Sequence, residues 1–360
     1  MKPHHFSHIA ENSARLLFTT LQNCEALSRA ELAQITGLSR PTVSGAIERL
    51  ENWQLVRATS RKTKGMGRAG IIYEINHEFG LVAALSVDHR SARLQIQDFS
   101  CCTVFSSCFD ITSADSAKAL TDLIINKIEQ AIKPFSIPLK SIGLALAAPV
   151  DPIQKKVVNL PSLPFSLASK IDWVATFQTH FNVPVTLDND VNWAAQCEVN
   201  HGVASDIRHF IYIFLDRGIG AGIYLDGKVI KGGNGLAGEL GYVKVTDDVA
   251  LQDYVEQVSG NTHNDALSKV SDVIATAAII VNPDALIFGG KLSQNAAFLE
   301  QLSSVLSSKL LRPISLLPSA MPVTGPLIGA ADGAYDTLLA GTPLFLSTHS
   351  KNKKGNHENL

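Results

Sequence analysis

The chain has 360 residues, a hydrophobic share of 46% and a net charge of −2 at pH 7, enough length and apolar content for two or three globular, soluble domains with sizeable cores. Its longest apolar runs, such as SIGLALAAPV, are too short to cross a bilayer. Glu11, Asn12 and Arg15 interrupt the first apolar residues where a signal peptide would be continuous, so a cytoplasmic location is expected.

The spacing of Ala14, Leu17, Phe18 and Leu21 predicts a helix over residues 12–23 with one apolar face. Next comes SRAELAQITGLSRPTVSGAIERLENWQLV, residues 28–56. There Leu32, Ile35, Leu38, Val43, Ile47 and Leu50 fall at helical spacing on two segments, broken at Thr36 and Gly37 where a turn is favoured. Each segment has its own start signal: Ser28 caps with Glu31 three positions on, and Ser39 stands two residues before Pro41. The second helix therefore opens with Ser39, Arg40, Pro41, Thr42 and Ser44, short polar donors and one Arg of the kind that meets phosphates and base edges in a major groove. A helical hairpin in some other small domain would share these caps and this turn; the basic residues and the strands that follow favour DNA.

Residues 55–58 read as a strand and AGIIYEIN as a second, with Ile72 and Ile75 turned inward. The loop between them, TSRKTKGMGR, is the expected wing of a winged helix-turn-helix, and its Arg61, Lys62, Lys64 and Arg68 suit a basic tip that follows the DNA backbone or enters a minor groove. Alone, such a charge run reads as a solvated face. Through Ile75, ten Lys or Arg stand against six acids, a net +4 that leaves −6 on the remainder. A basic head on an acidic body is the footprint of a nucleic-acid module joined to something else, and residues 1–78 are assigned to that module.

From Leu81 the texture becomes α/β. LVAALSVDH is a strand ending on Asp88, followed by strands in RLQIQDFS and CTVFSSCFDI. Residues 116–133 form an amphipathic helix with Leu120, Leu123, Ile124, Ile128 and Ile132 inward. SIGLALAAPV is a buried strand, and VPVTLDND another that stops before the helix VNWAAQCEVN. A second lobe opens with HFIYIFLDRGIGAGIYLDGKVIKG, two strands around a glycine-rich bend. Strands that end on Asp88 and Asp190 place ligand chemistry at strand C-termini in a cleft between lobes. The five cysteines, Cys24, Cys101, Cys102, Cys108 and Cys197, have no metal-type spacing and read as reduced. His89 and His209 are lone histidines without ligand spacing.

Taken together, LSRPTVSGAIERL, VTLDNDVNWAAQCE, GIGAGIYLDGKVIKGGNGLAGELGY, NPDALIFGG and GPLIGAADGAY resemble the ROK family of repressors, open reading frames and kinases. The resemblance covers nearly the whole chain. It implies an actin-like, ribonuclease H-like ATPase-type body of two α/β lobes behind the winged helix: residues 79–190, completed by the C-terminal helix near 326–341, then 191–325. By resemblance Asp190 occupies the position of a kinase's catalytic base, with Asn189, Glu239 and Asn159 at sugar-binding positions. Asp188, Asn189 and Asp190 could equally cap the helix that follows them, and Glu239 could serve a structural turn.

The phosphate side departs from the family. Where the kinases carry Asp-x-Gly-Gly-Thr, this chain reads Asp88-His89-Arg90-Ser91-Ala92, and Gly-Thr-Gly-Ile-Gly is replaced by Asp216-Arg217-Gly218-Ile219-Gly220. Side chains then stand where phosphates need close backbone approach. The family's Gly-Glu-x-Gly-His ends here in Tyr242, and no cysteine cluster follows, so neither zinc nor any other metal or cofactor is expected and the second lobe reads as shortened. The expected protein is a non-enzymatic repressor of sugar uptake or catabolism genes. Its expected partners are a double-stranded DNA operator, a sugar-type effector between the lobes and a second copy of itself, with no membrane. An ATP-dependent sugar kinase, and a regulator whose body only dimerises, are the alternatives. Residues 346–360 are polar and expected to be disordered.

Overall fold

The computed structural model describes residues 8–62, 70–161, 163–216, 218–246, 248–259 and 264–346. The tail from 347, and Lys64 and Arg68 of the expected wing, lie outside them, as do the side chains of Arg61 and Lys62.

The head contains α1 (His8–Asn23), β1 (Ala26–Ser28), α2 (Arg29–Thr36), α3 (Arg40–Asn52), β2 (Val56–Lys62) and β3 (Ile71–Ile75). The strands form one antiparallel sheet in the order β1-β3-β2. Local chemistry sets both helix starts. The Ser28 hydroxyl accepts the Glu31 N–H at 3.3 Å while the Glu31 carboxylate accepts the Ser28 N–H at 2.7 Å, which satisfies two orphan donors at once. Gly37, with φ of 70°, ends α2 in the left-handed region, and Ser39 caps α3 by accepting the Thr42 N–H.

Ala14, Leu17, Phe18 and Leu21 of α1 are buried against Leu32, Val43, Ala46, Ile47 and Leu50. One residue of the helical apolar pattern stands outside the core, and one inward assignment fails. Ile35 is 55% exposed, because α2 has only eight residues and buries Leu32 alone. In β3 the two-residue alternation buries Tyr73 and Ile75 and turns Ile72 away; Ile72 and Ile75, three apart, cannot share a face.

The body begins with β4 (Leu81–Val87), β5 (Ser91–Gln97), β6 (Thr103–Asp110), α4 (Ala117–Ile132), β7 (Leu139–Leu146), α5 (Trp173–Phe181), β8 (Val185–Asn189) and α6 (Asp190–His201). Its first sheet has the order β6-β5-β4-β7-β8, parallel across β4, β7 and β8. α4 and α5 cover one face with Leu120, Ile124, Ile128, Trp173 and Phe177. The chain continues through β9 (His209–Leu215), β10 (Ile219–Leu225), β11 (Lys228–Ile230), α7 (Leu251–Ser259), α8 (Asn264–Val281), β12 (Ala285–Gly289), α9 (Ala296–Ser307) and β13 (Ser315–Pro318). The second sheet has the order β11-β10-β9-β12-β13. Its third strand beyond the expected pair, β11, is only three residues long. Ile274, Leu302 and Leu306 of α8 and α9 cover one side, and Val191, Ala194 and Ala195 of α6 the other.

α10 (Gly325–Ala340) then returns to the back of the first sheet, where Leu327, Ala330 and Ala331 meet Ala84 and Ala145. α10 also packs on α6 so closely that a Cβ at Gly329 would lie 2.2 Å from the Trp193 carbonyl oxygen. The two helices therefore form a joint layer between the sheets.

Head and body share one apolar core, in which Leu17, Phe18 and Leu21 pack with Val82, Phe99, Tyr335, Leu338 and Leu344. The Phe99 ring lies 5.9 Å from Phe18, 4.5 Å from Phe79 and 5.4 Å from Tyr335. Gln22 Nε2 donates to the Tyr335 hydroxyl at 2.9 Å, which donates to the Phe99 carbonyl at 3.2 Å. Arg15 Nε donates to the Leu344 carbonyl at 2.9 Å. The short connection from β3 to β4 is clamped by Arg57, which bonds Glu74 at 2.9 Å and Glu78 at 3.1 Å.

Candidate functional site

On the head, α3 presents Arg40 and Pro41 exposed at its first turn, with Thr42 and Ser44 half-buried behind them. The Ser39 and Thr42 hydroxyls are 2.8 Å apart and bonded to one another. Their first task is to start the helix.

In the body, the C-terminal end of β8 delivers three polar residues in a row. Asn189 caps α6: its Oδ1 accepts the N–H groups of Val191 and Asn192 at 2.9 and 3.3 Å, and its Nδ2 donates to the Ala148 carbonyl at 3.2 Å. Asp188 is buried; its Oδ1 accepts the Asn189 N–H at 2.8 Å and Asn192 Nδ2 at 3.0 Å. Its other oxygen is ion-paired with Lys231, which follows β11 of the second sheet. This pair joins the lobes, and nothing in the spacing of the sequence announces Lys231. Gly235 of the same loop lies so near the first lobe that a Cβ there would stand 1.9 Å from the Val150 carbonyl oxygen.

Asp190 begins α6 and is half-buried, close enough to Glu239 and Asp88 to feel their charges. Burial raises its pKa to about 7, the Val191 N–H opposes that, and the charges of Glu239 and Asp88 push it up further. Burial likewise raises Glu239 to about 7. The structure thus brings Asp190, Glu239 and Asp88 together. Asn159 is exposed on the loop after the Val150–Val157 bridge, and no hydrogen bond among the described residues ties it to the carboxylates.

In both turns where a nucleotide's phosphates would need free backbone donors, side chains of the protein already engage described N–H groups. In the β4–β5 turn, Asp88 Oδ1 accepts the N–H groups of Arg90 and Ser91 at 2.7 and 2.8 Å, and Oδ2 accepts the Ser91 hydroxyl at 3.0 Å. In the β9–β10 turn, the Ile219 N–H donates to Oε1 of Gln252 on α7 at 3.3 Å, and the Gln252 side chain lies over Gly218. Arg217 lies outside the described residues. Gln252 also escapes a sequence reading, since only the fold sets it above that turn.

A ROK family model matches residues 102–253, and a winged helix-turn-helix DNA-binding model matches residues 13–56. The chain thus carries a ROK family domain behind a winged helix-turn-helix domain. Among relatives, it is 25% identical over 274 residues to the xylose repressor of Staphylococcus xylosus, covering 76% of this chain and 67% of that one. With the xylose repressor of Bacillus subtilis it shares 27% over 237 residues, or 65% and 60% of the two chains. The matched region thus spans about two thirds or less of these relatives. The crystal structure of a ROK family transcriptional regulator, described as a homologue of the E. coli MLC protein, superposes with a TM-score of 0.68 at 18% identity, covering 92% of this chain and 98% of the other. That likeness is one of fold, and it extends over head and body alike.

The body has two lobes with a carboxylate at the head of α6, and in its two phosphate turns the N–H groups of Arg90, Ser91 and Ile219 are taken by the protein's own side chains. The ROK family includes kinases as well as repressors, and the named relatives above are repressors. Among the described residues no cluster of His, Cys, Asp and Glu is arranged to hold a metal ion. No described helix is long and apolar enough to cross a membrane.

Proposed function

We propose that this protein is a sequence-specific, DNA-binding transcriptional repressor of sugar uptake or catabolism genes that acts as a homodimer or higher homo-oligomer. Ser39, Arg40, Pro41, Thr42 and Ser44 serve DNA, with Arg61, Lys62, Lys64 and Arg68 on the wing. A sugar or sugar derivative binds between the lobes near Asp190, Glu239, Asn189 and Asn159, and shifts their closure because it binds one closure state more tightly than the other. The observation that carries this reading is the capped helix-turn-helix sharing a core with a body in which side chains already take the Arg90, Ser91 and Ile219 N–H groups of the two phosphate turns. Gel-shift titration of the full chain against DNA upstream of its own gene tests it. The expected result is a salt-dependent, sequence-selective complex weakened by Arg40→Ala; equal affinity for unrelated DNA overturns the reading.

A sugar kinase is the second reading, and the pKa of about 7 at Asp190 favours it, since a general base works best near the operating pH. Release of ADP from ATP across hexoses and amino sugars separates the two. Turnover that Asp190→Asn abolishes establishes the kinase; no turnover, with sugars raising the melting temperature instead, supports an effector.

A further inference from the structure

At 100° per residue, Val43, Ala46, Ile47 and Leu50 of α3 occupy one buried arc of about 100°. The line opposite that arc is Pro41, Gly45, Glu48 and Asn52, while Arg40, Thr42 and Ser44 fall on its flanks. Pro41, Glu48 and Asn52 are exposed. The residues most readily chosen from sequence as DNA contacts therefore sit beside the outermost line of the helix, where groove walls and phosphates lie, and not on it.

Two features of the central line ask for an occupant. Gly45 is in the interior of a thirteen-residue helix, where glycine is the poorest helix former after proline. Its missing side chain answers no need of this fold, since a Cβ there would meet nothing within 4 Å. Gly45 itself is half-buried, with open space where a side chain would stand. One turn on, the Glu48 carboxylate is exposed and has no ion pair or hydrogen bond among the described residues, whereas Glu51 beside it faces Arg29. The head is otherwise basic, so an unpaired carboxylate in the middle of its outward helix face weakens general attraction to DNA. A carboxylate in a major groove accepts a hydrogen bond from the exocyclic amine of cytosine.

We infer that Gly45 is the point of closest approach between α3 and the floor of the major groove, and that Glu48 is a specificity residue reading a cytosine amino group in each half-site. This rests on the DNA-binding reading above. The lost nonspecific attraction is exchanged for discrimination at one base pair.

The test is in vitro selection from a randomised duplex DNA library with the full chain as wild type, Glu48→Gln, Glu48→Ala and Gly45→Leu, together with thermal melts of each. Glutamine pairs with adenine in the major groove, so Glu48→Gln is expected to move the preference at one position per half-site from cytosine to adenine, and Glu48→Ala to lose discrimination there. Gly45→Leu, a better helix former, is expected to melt at or above the wild-type temperature yet bind the wild-type-selected duplex roughly tenfold or more weakly. If the wild type selects a motif that both Glu48 variants reproduce unchanged, or if Gly45→Leu keeps full affinity, the inference is overturned while DNA binding stands. If the wild type selects no motif, both fall.

Discussion

Burial raises the Asp190 and Glu239 carboxyls to about 7, well above the range of an exposed carboxylate, and this has a direct consequence for stability. Because the native pKa is raised, the folded chain binds more protons than the unfolded chain between about pH 4 and pH 7. Stability therefore falls as pH rises through that window, and the full penalty is present above pH 7. Asp190→Asn and Glu239→Gln should raise the melting temperature at pH 8 and give little or no gain near pH 5. Melts at the two pH values check this, and equal gains at both would show that burial of charge is not the cause.

At the scale of single elements, the contact between α6 and α10 leaves no room for a Cβ at Gly329. Gly329→Ala drives a methyl group into the Trp193 carbonyl, so it should destabilise the fold by about 1–3 kcal/mol, as overpacking generally does. Chemical denaturation measures it, and a neutral result would show that the two helices can slide apart freely. Helix starts were readable in the sequence because they are local: Ser28 with Glu31 and Ser39 with Pro41 lie within a few residues of each other. The side taken by Ile35 was not, since two turns of helix give too little periodicity to fix a face. The same holds for Ile72, where the strand period of two overrides a spacing of three. At the cleft, Asp190 and Glu239 were visible through motif resemblance. Lys231 and Gln252 acquire their roles only when β11 and α7 are placed against elements distant in sequence.

At the scale of the whole molecule, the decisive feature is that head and body are not independent beads. Phe99 belongs to the body, yet its ring sits among Phe18 of α1, Phe79 of the connection and Tyr335 of α10. Phe99→Ala should cost about 3–5 kcal/mol and split one cooperative unfolding transition into two, with the head melting first. Calorimetry reads this directly; a single transition retained at lower temperature would mean that the remaining contacts suffice to couple the parts. α10 carries the path further, since the helix that ends under the head also packs along α6, whose first residue is Asp190.

A reading head on a flexible tether searches for its site and forgives variation in spacing, as flexible linkers do. Here Arg57 clamps the connection and an aromatic cluster fills the joint, so in the dimer proposed above the distance between two heads would be a property of the bodies and not of a linker. Adding or removing a few base pairs between operator half-sites rotates one of them around the duplex by about 34° per pair, from 10–10.5 base pairs per turn. The welded joint cannot follow that rotation. Operators altered in this way should lose binding abruptly rather than by degrees, and a gel-shift series over spacer length would show a single sharp optimum.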